Sequence, residues 1–234
     1  MFNYSFKKSI PIMTGYLFIG LAFGILLNSQ GFNFLWAAAM ALFVYAGSAQ
    51  FVIVTLMMNK TALPVAALMV FLVNSRHMFY GISFIQRFKS MGKKYWYMIY
   101  TLTDETYSVL CQIKDDNRIT SQEKNRGMFL VSMLNQIYWV TGCTVGALLG
   151  EFLPFSTAGI EFSMTALFVV IFVEQWITWK EKGTHIPAIT GIVSAIICLL
   201  IFGPDKFILP SIIFTIGILL SFEKKIEFKE IDNE

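Results

Sequence analysis

Charge is what this chain has least of. Only 14% of its 234 residues are Asp, Glu, Lys or Arg, against roughly 25% in soluble domains. The stretch from Ser9 to Asn59 contains none at all, and at about 20 residues per crossing it is long enough for two membrane spans. An ordinary soluble fold is therefore excluded. Cysteine is also scarce: Cys111, Cys143 and Cys198 are scattered through apolar runs. They give neither a disulfide framework nor a zinc-ligand spacing, so no metal and no cofactor is expected. Histidine occurs only as His77 and His185. The chain has no Gly-x4-Gly-Lys-Ser/Thr run to hold a nucleotide, and neither Gly-x-Ser-x-Gly nor His-Glu-x-x-His for hydrolysis. The apolar run after Lys7-Lys8 far exceeds a signal-peptide core, so a cleaved leader is not expected.

What is present is apolar. Hydrophobic residues make up 56% of the chain, including 23 Phe. Charge-poor windows give eight segments, near Ile10–Asn28, Phe34–Met58, Leu63–Ile85, Tyr95–Ile113, Gly127–Gly150, Phe162–Trp179, Ile186–Phe202 and Phe207–Phe222. The expected fold is an all-α polytopic membrane protein, with about seven or eight transmembrane or re-entrant helices. The chain from 1 to 234 reads as a single integral membrane domain.

Orientation follows from where Lys and Arg fall, because cytoplasmic loops carry them in excess. Lys7, Lys8 and the C-terminal Lys224, Lys225 and Lys229 put both termini in the cytoplasm, and Lys180 and Lys182 agree. Gln30–Asn33 and Glu151–Gly159 lack Lys and Arg and read as external. The first half does not close this way. If its first three segments each crossed once, Arg87, Lys89, Lys93 and Lys94 would lie outside. Either the bias fails, or one element is broken or re-entrant. The best candidate is Tyr45–Gln50, where small and polar residues interrupt the second segment. Such backbone is tolerated at membrane depth only inside protein or beside water.

An internal repeat is expected, with halves 10–113 and 127–222. Gly20-Leu-Ala-Phe-Gly24 echoes Gly142-Cys-Thr-Val-Gly146, and Ala41-Leu-Phe-Val44 echoes Ala166-Leu-Phe-Val169. Thr61 with Pro64 echoes Thr184 with Pro187 at nearly the same offset. Transporters are often duplicated in this way, with the binding site between the repeats. An even number of crossings per half makes the repeats parallel, an odd number inverted. Chance similarity in so apolar a chain is the plain alternative.

Three polar clusters interrupt the apolar segments. The first is Asn74-Ser75-Arg76-His77. A charge at a helix centre costs about 2.5–3.5 kcal/mol on insertion scales, so it is expected to face protein or water. Asn74 and His77 share a helix face by their spacing, and Arg76 points to an adjacent one. Arg76 suits a carboxylate, through a bidentate fork, and His77 suits proton exchange near neutral pH. The alternative is an Arg76 that snorkels or pairs with a structural acid. The second cluster is Asp104-Glu105. Asp104 falls on a polar face with Tyr97, Thr101, Ser108 and Cys111 if Tyr95–Ile113 is one helix, and either acid could meet an ammonium group or carry a proton. Alternatively that helix lies along the interface and wets its acids. The third cluster is Gly47-Ser48-Ala49-Gln50, with its repeat counterpart Glu174-Gln175. A helix end near Gly47 would offer backbone groups to a small zwitterion, while Glu174 is close enough to Lys180 to be structural.

These residues carry a resemblance. Pro11 and Gly15 before Gly20-Leu-Ala-Phe-Gly24, then Ala46-Gly-Ser-Ala-Gln-Phe51, Val73-Asn-Ser-Arg-His-Met-Phe-Tyr-Gly81 and Thr103-Asp-Glu105 resemble the AzlC family. Members are large subunits of bacterial branched-chain amino acid exporters. The resemblance implies export of leucine, isoleucine or valine across the inner membrane. It also implies a small AzlD-type membrane subunit as partner. The expected function is thus a secondary exporter driven by the proton gradient, with Arg76, Asn74, Gln50, Ser48 and Gly47 at the substrate. His77, Asp104 and Glu105 would serve the proton, and Glu174 and Gln175 a second polar site. The rivals are a non-transporting assembly subunit and an intramembrane enzyme.

Overall fold

The computed structural model describes residues 1–152, 185–203, 207, 210, 211, 213–221 and the single positions 162, 169, 172, 173, 176 and 177. The chain divides into two compact units, Met1–Thr165 and Ala166–Glu234. Among the described residues regular structure is helical, with no strand.

Two helices frame the first unit: α1 (Phe2–Ser29, 28 residues) and the last of this unit, Ser121–Phe152 (32 residues). Both are long and apolar enough to cross a membrane. The second is started by a capping box, in which Glu123 accepts from the Thr120 amide at 2.9 Å and the Thr120 hydroxyl accepts from the Glu123 amide. That reciprocal pair satisfies two amides left over at a helix start. The two long helices run parallel. Ser5 bonds Gly127 near their beginnings, Tyr16 meets Trp139 midway, and Gly150 faces Asn28 near their ends. Their contact is made of glycine. A Cβ on Gly24 would strike the backbone of Cys143 and Ala147, and one on Gly146 would strike Leu21. Only glycine lets the two backbones approach so closely.

Shorter helices fill the space between. They are α2 (Phe34–Phe43), α3 (Gly47–Met58), α4 (Leu63–Asn74), α5 (Arg76–Lys89), α6 (Tyr95–Tyr100) and α7 (Asp104–Asp115), which makes the 32-residue helix α8. Asn33 caps α2 through the amides of Leu35 and Trp36. The second, third and fourth apolar segments of the sequence are therefore each divided in two. The α2–α3 break lies at Val44–Ala46, where buried Tyr45 adopts φ 43°. A bulky residue pays to sit in that left-handed region, so surrounding packing holds the break. The α6–α7 break spans Thr101–Thr103. The α4–α5 junction is milder, because Ser75 keeps right-handed helical angles and the two helices continue in one direction.

These breaks organise the unit. α2 leaves the end of α1 and reaches the middle of α8, where Gly47 and Gln50 meet Trp139. α3 returns along α1 towards the end it came from, with Phe51 against Phe23. α4–α5 then runs the full length, to where Arg87 bonds Ser121. From there α6 climbs to the middle, past Phe129 and Gln136, and α7 descends from Thr103 beside Tyr16 to Asp116 beside Tyr4. Two half-length hairpins thus enter from opposite ends and turn at the same depth.

One end is basic. Lys8 bonds Gln112, Lys94 lies over the Phe129 ring, Lys124 bonds the Lys114 carbonyl, and Arg87 reaches Ser121. Arg87 and its neighbours therefore sit at the same end as the N-terminus, because the α2–α3 segment turns back. Beyond the helical middle, the paired hydrogen bonds of Arg118 hold Asp116 well below the usual carboxylate range. The outer surface of the unit is apolar, with Phe18, Leu63, Ile82 and Phe152 exposed.

In the second unit, α9 (Ile186–Phe202) begins with proline in its first turn and ends at Gly203, φ 75°. His185 precedes the helix and stacks on Trp176 at 4.4 Å. Glu174 and Gln175 lie outside the described residues, as do most positions between 153 and 184.

Candidate functional site

The site is the level at which both hairpins turn. Each of its walls comes from a helix interrupted there. α3 starts at Gly47 with no side-chain cap on Ala46, so the positive end of its dipole opens at mid-depth. Ser48, Ala49 and Gln50 behind it are buried. Gln50 accepts a 2.8 Å bond from the Trp139 indole, while its amide nitrogen has no partner. Tyr45 is also buried, with its ring 5.9 Å from Tyr100.

The second wall is the start of α7. Thr103 caps it through the Thr106 amide, and Asp104 and Glu105 occupy the first turn. Carboxylates there face the positive end of the helix dipole, which explains why two acids are tolerated so deep. The third wall is the α4–α5 junction. His77, one residue into α5, places Nε2 3.6 Å from Asp104 Oδ1, with both side chains about one-fifth exposed. Tyr80, one turn on, stacks on Tyr107 at 4.6 Å. Asn74 closes α4 and keeps a buried side-chain oxygen without a partner. Arg76 opens α5; its side chain lies outside the described residues.

The expected residues Gly47, Ser48, Gln50, Asn74, His77, Asp104 and Glu105 are thus set at the breaks of one level. His77 and Asp104 are brought into direct contact. One expectation needs correction. Tyr95–Ile113 is not one helix, so the polar face running from Tyr97 through Thr101 to Cys111 does not exist as a continuous stripe. The break instead places both acids in the first turn of α7, with Asp104 against His77 and Glu105 against Tyr16. Sequence reasoning missed Tyr16, Asn135 and Trp139, because each looks like ordinary helix content. Tyr16 bonds both Thr103 (2.6 Å) and Glu105 (2.9 Å), and Asn135 bonds Thr106 (3.0 Å). A buried amide inside an apolar helix was the one available signal.

Comparison with known proteins gives the family. The family model described as AzlC protein matches residues 11–153. The chain belongs to the AzlC family. It is 37% identical over 98% of its length to the branched-chain amino acid transport protein AzlC of Bacillus subtilis, covering 88% of that protein. It is 40% identical to an uncharacterized membrane protein of Haemophilus influenzae, over 89% of this chain and 84% of the relative. The inner membrane protein YgaZ of Escherichia coli is 31% identical over 70% of this chain and 68% of its own. No solved structure matches. The family match runs from within α1 to the end of α8, and so includes every break at the site.

Proposed function

We propose that this chain is a secondary transporter that exports branched-chain or similar apolar amino acids across the bacterial inner membrane. The proton gradient drives it, and a small AzlD-type subunit completes it. The observation that carries this reading is the meeting of two helix breaks, entering from opposite ends, beside the His77–Asp104 contact. Broken helices at mid-depth are how many secondary transporters offer backbone dipoles to substrate and ion. The membrane protein names of the relatives and the apolar outer surface support the bilayer as its surroundings. The basic end then lies in the cytoplasm.

In this reading Arg76 and the amides opening α3 at Gly47 and Ser48 receive the carboxylate. Gln50 and Asn74 orient the polar head, and the aliphatic side chain rests on apolar helix faces. Asp104 meets the ammonium group, while His77 and Glu105 handle the proton. The repeat halves would come together around this centre, with Glu174 and Gln175 as a second polar site. The parallel course of α1 and α8 is what a parallel repeat requires.

The test is efflux of labelled leucine from loaded vesicles carrying this chain with its small partner. Efflux is expected to fall at least about tenfold in Arg76→Ala or Asp104→Asn, a loss of about 1.4 kcal/mol of transition-state stabilisation. It should also weaken when the pH gradient and potential are collapsed. Wild-type efflux by properly inserted Arg76→Ala protein would remove the substrate assignment. Efflux untouched by collapse of the gradients would remove the coupling.

A further inference from the structure

An unbroken line of hydrogen bonds runs from Glu105 into the core at the middle level. Glu105 contacts the Tyr16 hydroxyl at 2.9 Å, Tyr16 contacts the Thr103 hydroxyl at 2.6 Å, and Thr103 contacts the Thr106 hydroxyl at 2.9 Å. The Asn135 amide nitrogen donates to Thr106 at 3.0 Å. Glu105 keeps accessible surface, whereas Tyr16, Thr103, Thr106 and Asn135 are all buried. The line runs from an open carboxyl group to a sealed end, joining α7 to α1 and α8.

Counting hydrogens shows what the line can do. Each hydroxyl supplies one hydrogen. If Tyr16 donates to Glu105 and Thr103 donates to Thr106, no hydrogen remains for the 2.6 Å contact between Tyr16 and Thr103. Two head-to-tail arrangements, in which every hydroxyl of the line both donates and accepts, satisfy these contacts. With Glu105 ionised, Thr106 donates to Thr103, Thr103 to Tyr16 and Tyr16 to the carboxylate. With Glu105 protonated, its own hydrogen goes to Tyr16, Tyr16 donates to Thr103 and Thr103 to Thr106. The second arrangement frees the Thr106 hydrogen, which needs another acceptor. Asn135 has one in its buried side-chain oxygen, which lacks any partner. Turning the amide over presents that oxygen to Thr106.

We propose that Tyr16, Thr103, Thr106 and Asn135 form a reversible hydrogen-bond chain that positions Glu105 and transmits its protonation to α8. The proposal rests on the transporter reading only for its purpose, which is to couple the proton to helix movement. The chain's reversal is a property of the groups themselves. The other titratable groups around Glu105 are Tyr45 from the α2–α3 break, neighbouring Asp104, and His77 of α5 across Asp104. Arg76 begins that same helix. Tyr16 is the hydroxyl that bonds both Glu105 and Thr103.

The experiment is infrared titration of the full-length protein in lipid vesicles, following the protonated-carboxyl band that Glu105→Gln removes. Two variants that each delete one hydroxyl are expected to shift its midpoint in opposite directions. Tyr16→Phe removes the donor to the ionised carboxylate, a charge-assisted bond and so the stronger one, and raises the midpoint by about one pH unit. Thr106→Val removes the last acceptor of the protonated arrangement and lowers the midpoint by about half a unit. Thr103→Ser keeps the hydroxyl and the wild-type midpoint. Opposite shifts are beyond a merely structural role. An unchanged midpoint in either deletion, shifts of the same sign, or a Glu105→Gln protein that loses no band would overturn the proposal. If Tyr16→Phe does not insert, the downward shift in Thr106→Val decides alone. Protein that titrates as expected yet moves no amino acid would leave the chain standing and refute the transporter reading.

Discussion

His77 and Asp104 stand 3.6 Å apart although 26 residues of chain lie between them. The contact exists because α5 and α7 both begin at mid-depth, one continuing a full-length crossing and the other returning from a half-length hairpin. A protonated imidazole there has its counter-charge in place, and a carboxylate has a proton donor within reach. The pair joins a titratable group at the start of α5 to the first turn of α7.

The two-hairpin path makes a topological prediction. Single cysteines at Lys8 and at Lys89, in protein lacking Cys111, Cys143 and Cys198, should be labelled by a membrane-impermeant reagent from the same side. A cysteine at Asn33 should be labelled from the other side. Labelling of Lys89 together with Asn33 would mean that Phe34–Met58 crosses completely.

Gly24 and Gly146 should tolerate no side chain. Either residue changed to Ala would press a methyl group into backbone atoms of the facing helix, which cannot swing away as a side chain can. A loss of about 1–3 kcal/mol or more is expected, read as a lower thermal unfolding midpoint in detergent. Gly15→Ala, with no neighbour within 4 Å, serves as the control and should be near neutral.

Gln50 and Trp139 form a buried pair across α3 and α8. Gln50→Leu strands the indole N–H and should cost about 1–3 kcal/mol. Trp139→Phe in the same protein removes the stranded donor. The double variant should therefore be less destabilised than the two single losses summed, in a thermodynamic cycle of unfolding midpoints.

Asp116 makes the basic end sensitive to acid. Its ionised form is held in the folded protein by Arg118 and by the Tyr4 hydroxyl, so its folded value lies below its unfolded one. The stability it contributes is present above the unfolded carboxylate value, near 3.9. It is lost as pH falls from there through the folded value. Asp116→Asn should lower the unfolding midpoint at neutral pH, and its difference from wild type should shrink progressively below pH about 4.

Much of this was legible in the residues. The low charge density and long apolar runs required apolar helices, and the Asn-Ser-Arg-His and Gly-Ser-Ala-Gln runs marked the family. The charges of Arg87–Lys94 left two readings open, a failed loop-charge bias or a broken element, and the helix break at Val44–Ala46 falls at the candidate Tyr45–Gln50. The break at Thr101–Thr103 was not legible. Tyr95–Ile113 has an unbroken polar periodicity, and nothing local says that Thr103 will cap a new helix rather than continue the old one. Tyr16 and Asn135 were invisible for a related reason: periodicity records which face a residue is on, not which distant hydroxyl it will meet.

The sequence by itself determined that the chain is helical and apolar outside, that its family is AzlC, and that its costly polar residues are few and clustered. Those properties depend on composition and short-range pattern, which transfer free energies and helix geometry translate directly. Only the tertiary structure decided that Phe34–Met58 and Tyr95–Ile113 each turn at mid-depth, and that Gly47, His77 and Glu105 share one level. That decision belongs to packing. The glycine contact of α1 with α8 leaves room for half-length hairpins, and the hydrogen bonds of Trp139, Tyr16 and Asn135 satisfy the polar groups that the breaks expose.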